Sequence, residues 1–301
     1  MRSLRHLDLS ECYSLSKMPI KMGQMIELRT LSKFIVGEKT GEHIDELNGL
    51  KHLSGELKLT RLEFVKDSTE AKEADLASKP NLSSLLLSWG KFSVPCIHRD
   101  GMQQEEMKMK SERVLDCLRP HVNLNQKLAI LACQGVVLPS WMSLLRNLRE
   151  IQLFECWNCE TLPPLGQLPR LQVLSISGAH SLKCIGEFYG EVVGHLKRFP
   201  ALEDLRLHRM PNLEKWEFPS SMHHFLAFES ILSGEIENLT ALKSLEIVDC
   251  YELKSIPDEI RKSHRTRIVG DFQLIMNSSC RSLLVLRIEL CDSLTSVSEG
   301  L

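Results

Sequence analysis

Ten cysteines and eleven histidines give this chain of 301 residues the raw material for metal or nucleophile chemistry. Cys156-Trp-Asn-Cys159 has the two-residue gap of a metal-binding or redox pair. A tetrahedral site needs two more ligands, and no second pair with that spacing exists in the chain. A phosphate-binding loop needs Gly, four residues, then Gly-Lys-Ser/Thr, so that backbone amides and the lysine surround phosphate. Gly37-Glu38-Lys39-Thr40 has the wrong residue after its glycine, and Gly90-Lys91-Phe92 lacks the hydroxyl. There is no His-Glu-x-x-His and no Gly-x-Ser-x-Gly elbow, and His223-His224 reads as a solvated pair. The run Arg261-Lys262-Ser-His264-Arg265-Thr-Arg267 could touch phosphate. It lacks interleaved aromatics and belongs to a chain of net charge −2, so a solvated loop is favoured. No catalytic constellation assembles, and the expectation is a chain with no enzymatic activity, metal or cofactor.

The residues that recur belong to a scaffold. The chain holds 51 leucines, about one residue in six. Many fall in one template, Leu-x-x-Leu-x-Leu, as in Leu4, Leu7 and Leu9. It returns as Leu31/Phe34/Val36, Leu53 with Leu57/Leu59, Leu82/Leu85/Leu87, and Leu124/Leu128/Ile130. It continues as Leu148/Ile151/Leu153, Leu171/Leu174/Ile176, Leu202/Leu205/Leu207, Leu242/Leu245/Ile247 and Leu283/Leu286/Ile288. The shortest spacing between successive units is 23 residues and occurs three times, inside the leucine-rich-repeat window. One such unit cannot bury its own leucines, so neighbours must stack into a solenoid with a continuous core. The fold expected is an α/β leucine-rich-repeat solenoid: a curved horseshoe with about ten parallel strands on its concave face and irregular or short helical arms on the convex side. It is read as a single domain over 1–301, with loop insertions at 90–112, 218–235 and 257–279. The first of these is expected to be a mobile loop.

The same phase accounts for half of the cysteines. Cys12, Cys133, Cys156, Cys250 and Cys291 each stand five residues after the first strand residue. Leucine-rich repeats put Asn or Cys in that slot, turned inward where the backbone leaves the strand. These thiols are expected to be structural and reduced, which fits a cytoplasmic or nuclear compartment.

Composition excludes other classes. Apolar residues at 43% and charged residues at 25% suit a globular chain rather than a disordered one. The small net charge gives no reason to expect nucleic acid or an anionic membrane as partner. No apolar run reaches the length of a membrane span, and the start Met1-Arg-Ser-Leu-Arg-His-Leu-Asp has no signal-peptide core. Sequons at Asn81, Asn238 and Asn277 carry little weight against this.

Function is then expected on the strand surface. Side chains alternate along a strand, so the residue between the two core positions faces solvent on the concave side. Those residues are Asp8, Ile35, Lys58, Leu86, Ala129, Gln152, Ser175, Arg206, Glu246 and Arg287. His6, Phe154, Glu155, His208, Arg209, Asp249 and Glu289 flank them. The protein-binding candidates are Asp8, Lys58, Gln152, Phe154, Ser175, Arg206, His208, Glu246 and Arg287, whose aromatic and charged groups can anchor an interface.

Particular strings go beyond the period. Leu4-Arg-His-Leu-Asp-Leu-Ser-Glu-Cys12-Tyr-Ser-Leu-Ser-Lys-Met-Pro19 and Leu28-Arg-Thr-Leu-Ser-Lys-Phe-Ile-Val-Gly37 open the chain. Leu118-Arg-Pro-His121-Val-Asn-Leu124, Leu138-Pro-Ser-Trp141, Leu162-Pro-Pro-Leu-Gly-Gln-Leu-Pro169, Phe199-Pro-Ala-Leu-Glu-Asp-Leu-Arg-Leu207 and Met210-Pro-Asn-Leu-Glu-Lys-Trp216 follow in order. Together they resemble plant nucleotide-binding leucine-rich-repeat disease resistance proteins of the coiled-coil class. The resemblance covers nearly the whole chain, but only the repeat portion of that family; the coiled-coil and nucleotide-binding domains are absent from the sequence. It implies the sensing and autoinhibitory part of an intracellular immune receptor. Its partners would be a pathogen effector, or a host protein altered by one, and the nucleotide-binding module of the parent receptor. The alternative is a substrate adaptor of a ubiquitin ligase, or another protein-interaction scaffold using the same face. A surface-receptor ectodomain would show Leu-x-Gly-x-Ile-Pro repeats and paired capping cysteines, which this sequence lacks.

Overall fold

A computed structural model of the chain describes residues 3–90, 101–185, 199–214, 216, 241–254, 267–269 and 283–294, with backbone alone for 101–103 and 267–269. They fall into two compact units, Met1–Cys159 and Glu160–Leu301.

In the first unit the Leu-x-Leu segments form short strands because alternation lets each put its leucines on one side and leave the other side wet. β1 (His6–Leu7) pairs in parallel with β2 (Thr30–Leu31). β3 (Lys33–Ile35), β4 (Ser54–Thr60), β5 (Asn81–Ser88), β6 (Lys127–Leu131) and β7 (Glu150–Phe154) then pair in parallel, each with the next. Register puts Leu57, Leu85, Leu128 and Ile151 in one column and Leu59, Leu87, Ile130 and Leu153 in another. All eight are at most 2% exposed. A fully buried leucine is worth about 2 kcal/mol, so these columns are the main cohesive element between repeats.

Parallel neighbours require a return arm. Here the arms are short 3-10 turns, such as Ile44–Gly49 and Ser140–Leu144, and two α-helices. Helix α1 (Ser68–Glu73) starts at Asp67, whose carboxylate accepts from the amides of Thr69 (2.9 Å) and Glu70 (3.0 Å). Glu70 reaches back to the amide of Lys66 at 2.7 Å, so the first turn is closed from both sides. Helix α2 (Gly101–Cys117) corrects the expectation of a mobile loop over 90–112. Residues 101–112 are helical, and 91–100 lie outside the described residues. The anchoring comes from beyond the predicted stretch: Val114, Leu115 and Leu118 are buried at helical spacing.

A second correction concerns the phase of β3. The expected pair Phe34/Val36 would place Ile35 on the open face, but the register sets Lys33 opposite Lys58 and Phe34 opposite Leu59. Ile35 is 3% exposed. Phe34, Ile35 and Val36 are consecutive apolar residues and give no alternation from which to fix the phase. Ala129 does hold the middle position of β6 but is 1% exposed, because its methyl is too short to clear its cross-strand neighbours Leu86 and Gln152.

In the second unit β8 (Val173–Ser177), β9 (Asp204–His208) and β10 (Ser244–Val248) run in sequence order. β12 (Val285–Glu289) pairs with β10, and β11 (Arg267–Val269) pairs on the outside of β12, also in parallel. Residues 267–269 of the expected insertion 257–279 are therefore strand, not loop. The insertion 218–235, His223-His224 and residues 261–266 lie outside the described residues. Leu174, Leu205, Leu245 and Leu286 form the first core column and Ile176, Leu207, Ile247 and Ile288 the second, all buried.

Six strands, β6 to β10 and β12, exit through the same turn. Ala132, Glu155, Arg209, Asp249 and Leu290 have φ between 51° and 57°, and Gly178 has 75° at the equivalent place. The next residue is the small or sulfur-bearing slot: Cys133, Cys156, Ala179, Met210, Cys250 and Cys291, all buried. Both units are leucine-rich-repeat solenoids.

Candidate protein-binding face

The wet side of the strands carries the candidate residues. In the first unit, Asp8 follows β1, where its Oδ1 accepts from the amide (2.9 Å) and hydroxyl (2.6 Å) of Ser10. Those bonds, with help from Ser32, hold its carboxyl down to about 2. Its carboxylate is thus already engaged in its own turn. Lys33 and Lys58 stand side by side in register; Lys33 Nζ donates to the carbonyl of Cys12 at 3.3 Å, and Lys58 Nζ lies 3.3 Å from Glu56. Leu86 and Ala129 make the middle of this face apolar. Gln152 then donates to Glu150 at 2.7 Å, Glu150 meets Lys127 at 3.3 Å, and the half-buried Phe154 ends β7.

The second unit brings five candidates together on four neighbouring strands. Ser175, Arg206, Glu246 and Arg287 form one cross-strand column. Arg206 is paired within its own strand to Asp204, with Nη2 to Oδ2 at 2.5 Å and Nε to Oδ1 at 3.2 Å. Arg287 makes the same two-point contact with Glu289, at 2.9 and 2.8 Å. That fork raises the guanidinium above its ordinary value and lowers the carboxyl of Glu289 below its own. Glu246 stands between the two arginines, and His208 Nε2 lies 3.3 Å from its Oε2. That contact is close but poorly aligned, for the imidazole nitrogen is buried without a hydrogen-bond partner among the described residues. The result is an alternating surface in which each arginine is held upright by an acid two residues away.

Sequence reasoning missed the acids. Glu56, Glu150 and Asp204 each precede a middle residue by two and so share its face. An opposite charge or amide at i, i+2 was the signal for them: Glu56/Lys58, Glu150/Gln152, Asp204/Arg206. Lys33 was missed through the phase of β3.

The cysteines behave as packing groups. Cys156 Sγ lies 3.8 Å from the carbonyls of Ile130 and Phe154, and burial pushes its thiol up to about 12. Cys133 is raised for the same reason, so neither offers a thiolate to a metal near neutral pH. Cys12 is the exception to the expected burial. It is exposed, because among the described residues no strand precedes β1 to cover its slot. Among the described residues, no three His, Cys, Asp or Glu side chains are placed to hold one metal ion. None of their helices is long and apolar enough to cross a membrane.

Comparison with known proteins gives this face its context. The family described as R13L1/DRL21 LRRs matches residues 44–179. Disease resistance protein RGA2 of Solanum bulbocastanum is 34% identical over 275 residues, which is 87% of this chain and 26% of the relative. RPP13-like protein 1 of Arabidopsis thaliana is 33% identical over 274 residues, 83% of this chain and 25% of the relative. Over most of its length the chain is similar to the leucine-rich-repeat part of plant disease resistance proteins. It spans about a quarter of the length of these relatives. Among solved structures, the leucine-rich repeat domain of the type III effector XCV3220 (XopL) covers 89% of this chain and 72% of its own, with 17% identity and a TM-score of 0.37, too low to decide kinship or activity. The strand face of each unit presents mainly polar side chains on a parallel ladder.

Proposed function

We propose that this chain is the recognition part of an immune receptor, with its two units forming one repeat domain. On this reading the strand face of the second unit contacts a pathogen effector, or a host protein altered by one. The observation that carries it is the column Arg206, Glu246, Arg287, three successive charged middle positions whose two arginines are each clamped by an acid two residues away. Preorganised arginines lose little entropy on binding and suit interface anchors. The same face, by binding the nucleotide-binding module of the parent receptor, would restrain it. We place its site of action in the cytoplasm or nucleus, where buried slot thiols such as Cys133 and Cys156 stay reduced.

The test is co-expression, in leaf tissue, of the parent receptor carrying Arg206→Glu with Arg287→Glu. Two outcomes support the proposal: loss of an effector-triggered response, or activation without effector, which would report lost restraint. An unchanged response from a stably accumulating variant refutes it. Capture of a ubiquitin-ligase core component by the unaltered face would favour the adaptor reading instead.

A further inference from the structure

The slot cysteines of the last two long strands are cross-strand neighbours. β10 and β12 are in register through Val248 opposite Glu289, and both chains then take the same left-handed turn, Asp249 at φ 57° and Leu290 at φ 52°. The amide of Asp249 donates to the carbonyl of Glu289 at 3.1 Å, so the register survives the turn. Cys250 and Cys291 therefore stay side by side, about 4.8 Å apart at the backbone as for any parallel neighbours, inside the span a disulfide bridges. Cys250 Sγ lies 3.6 Å from Val248 O and 3.7 Å from Leu207 O, and Cys291 Sγ lies 3.4 Å from Glu289 O and 4.0 Å from Ile247 O, so the Cys291 thiol is placed between β12 and β10.

We propose that Cys250 and Cys291 are a dithiol that a peroxide oxidises to a disulfide, a reversible clasp between two successive repeats. Cys291 is the attacking thiol. It is 8% exposed, whereas Cys250 is sealed, and it is flanked by the exposed Leu290 and Asp292. The neighbouring Cys250 thiol draws the Cys291 thiol down, while Cys291 and burial push Cys250 up. In the first step the Cys291 thiolate attacks one peroxide oxygen; an S–O bond forms, the O–O bond breaks, and hydroxide leaves to take a proton as water. In the second, the Cys250 sulfur displaces the sulfenic oxygen, its proton leaving with that oxygen as a second water. The two sulfurs are oxidised by one electron each and the peroxide is reduced by two. The clasp would join β10, which carries Glu246, to β12, which carries Arg287.

Cys133 and Cys156 provide an internal control. They occupy the same ladder geometry between β6 and β7, but both are 2% exposed or less. The experiment is treatment of the folded chain with hydrogen peroxide, followed by alkylation under denaturing conditions and peptide mapping without reductant. The expected result is a joined Cys250 and Cys291 peptide pair, lighter by two hydrogens and released by dithiothreitol, with Cys133 and Cys156 still alkylated. In Cys250→Ala the joined pair is lost and Cys291 is recovered as a higher oxide. Alkylation of both Cys250 and Cys291 after peroxide overturns the proposal. So does equal pairing of Cys133 with Cys156, because oxidation would then follow unfolding rather than the exposed edge. The unsubstituted chain alone decides the matter if the variant does not fold.

Discussion

Lys79 carries a buried charge in the first unit that opposes folding at neutral pH. It is fully buried, its ammonium donates to the carbonyl of Asp75 at 3.2 Å, and burial, aided by nearby Lys51, lowers it to about 8 from an ordinary 10.5. A lysine depressed in the folded state binds its proton more tightly when unfolded. Stability should therefore be flat below about pH 8 and rise as pH climbs from about 8 to 10.5. Lys79→Met, which keeps the stem and removes the charge, is expected to stabilise the chain by about 1–2 kcal/mol and to flatten that rise, as thermal melts across pH would show. A neighbouring pair in the second unit tests the alternation. Leu174 is 0% exposed, so Leu174→Asp should cost about 4 kcal/mol or more by burying an unpaired carboxylate. Ser175→Asp, one residue on and facing Arg206 in register, should stay within about 0.5 kcal/mol. Similar melting losses for the two would refute the assigned faces. Thiol reagents should divide the cysteines in the same way: rapid labelling of exposed Cys12 and Cys184 in the native chain, and labelling of Cys133, Cys156 and Cys159 only on unfolding.

Among the elements, strands were legible and arms were not. Every predicted Leu-x-Leu pair lies in or beside a strand, because alternation and a recurring spacing are two independent signals of one geometry. Where alternation fails, at Phe34-Ile35-Val36, the phase slipped by two residues and Lys33 was overlooked. Helix α2 was hidden because its buried residues Val114 and Leu115, with Leu118 just past its end, follow a polar stretch with no periodicity of its own. β11 could not have been read: three residues, Arg267-Ile-Val269, gain their strand state from the edge of β12 rather than from their own pattern. Helix α1 is six residues long and depends on its cap, so Asp67→Ala should cost about 1 kcal/mol, with little change in the strands. Urea titration of the two chains would show the loss as a lower midpoint with an unchanged slope.

At the scale of the molecule, the candidate face was legible as a position and not as a chemistry. The column Ser175, Arg206, Glu246, Arg287 follows from the repeat period, whereas the clamps that orient its arginines come from Asp204 and Glu289, two residues away in the same strands, a spacing that marks a shared face but not a bond. Surface pairs of this kind add little to stability, about 1 kcal/mol or less each. Glu289→Gln should therefore leave the melting temperature almost unchanged while freeing Arg287 to reorient, and any binding that uses Arg287 should weaken without loss of fold, as calorimetric titration against the partner would report.

The shared turn at Ala132, Glu155, Arg209, Asp249 and Leu290 has a hereditary consequence. Because these strands leave the sheet with the same backbone twist and a buried plug of cysteine, alanine or methionine, one such coil of chain is interchangeable with the next. Excising 128–150 would bring Ile151 against Leu85, with the ladder and the plug still in step. Duplication, loss or exchange of whole coils, errors that would wreck most proteins, here alter the length and lettering of the outer face and leave the interior grammatical.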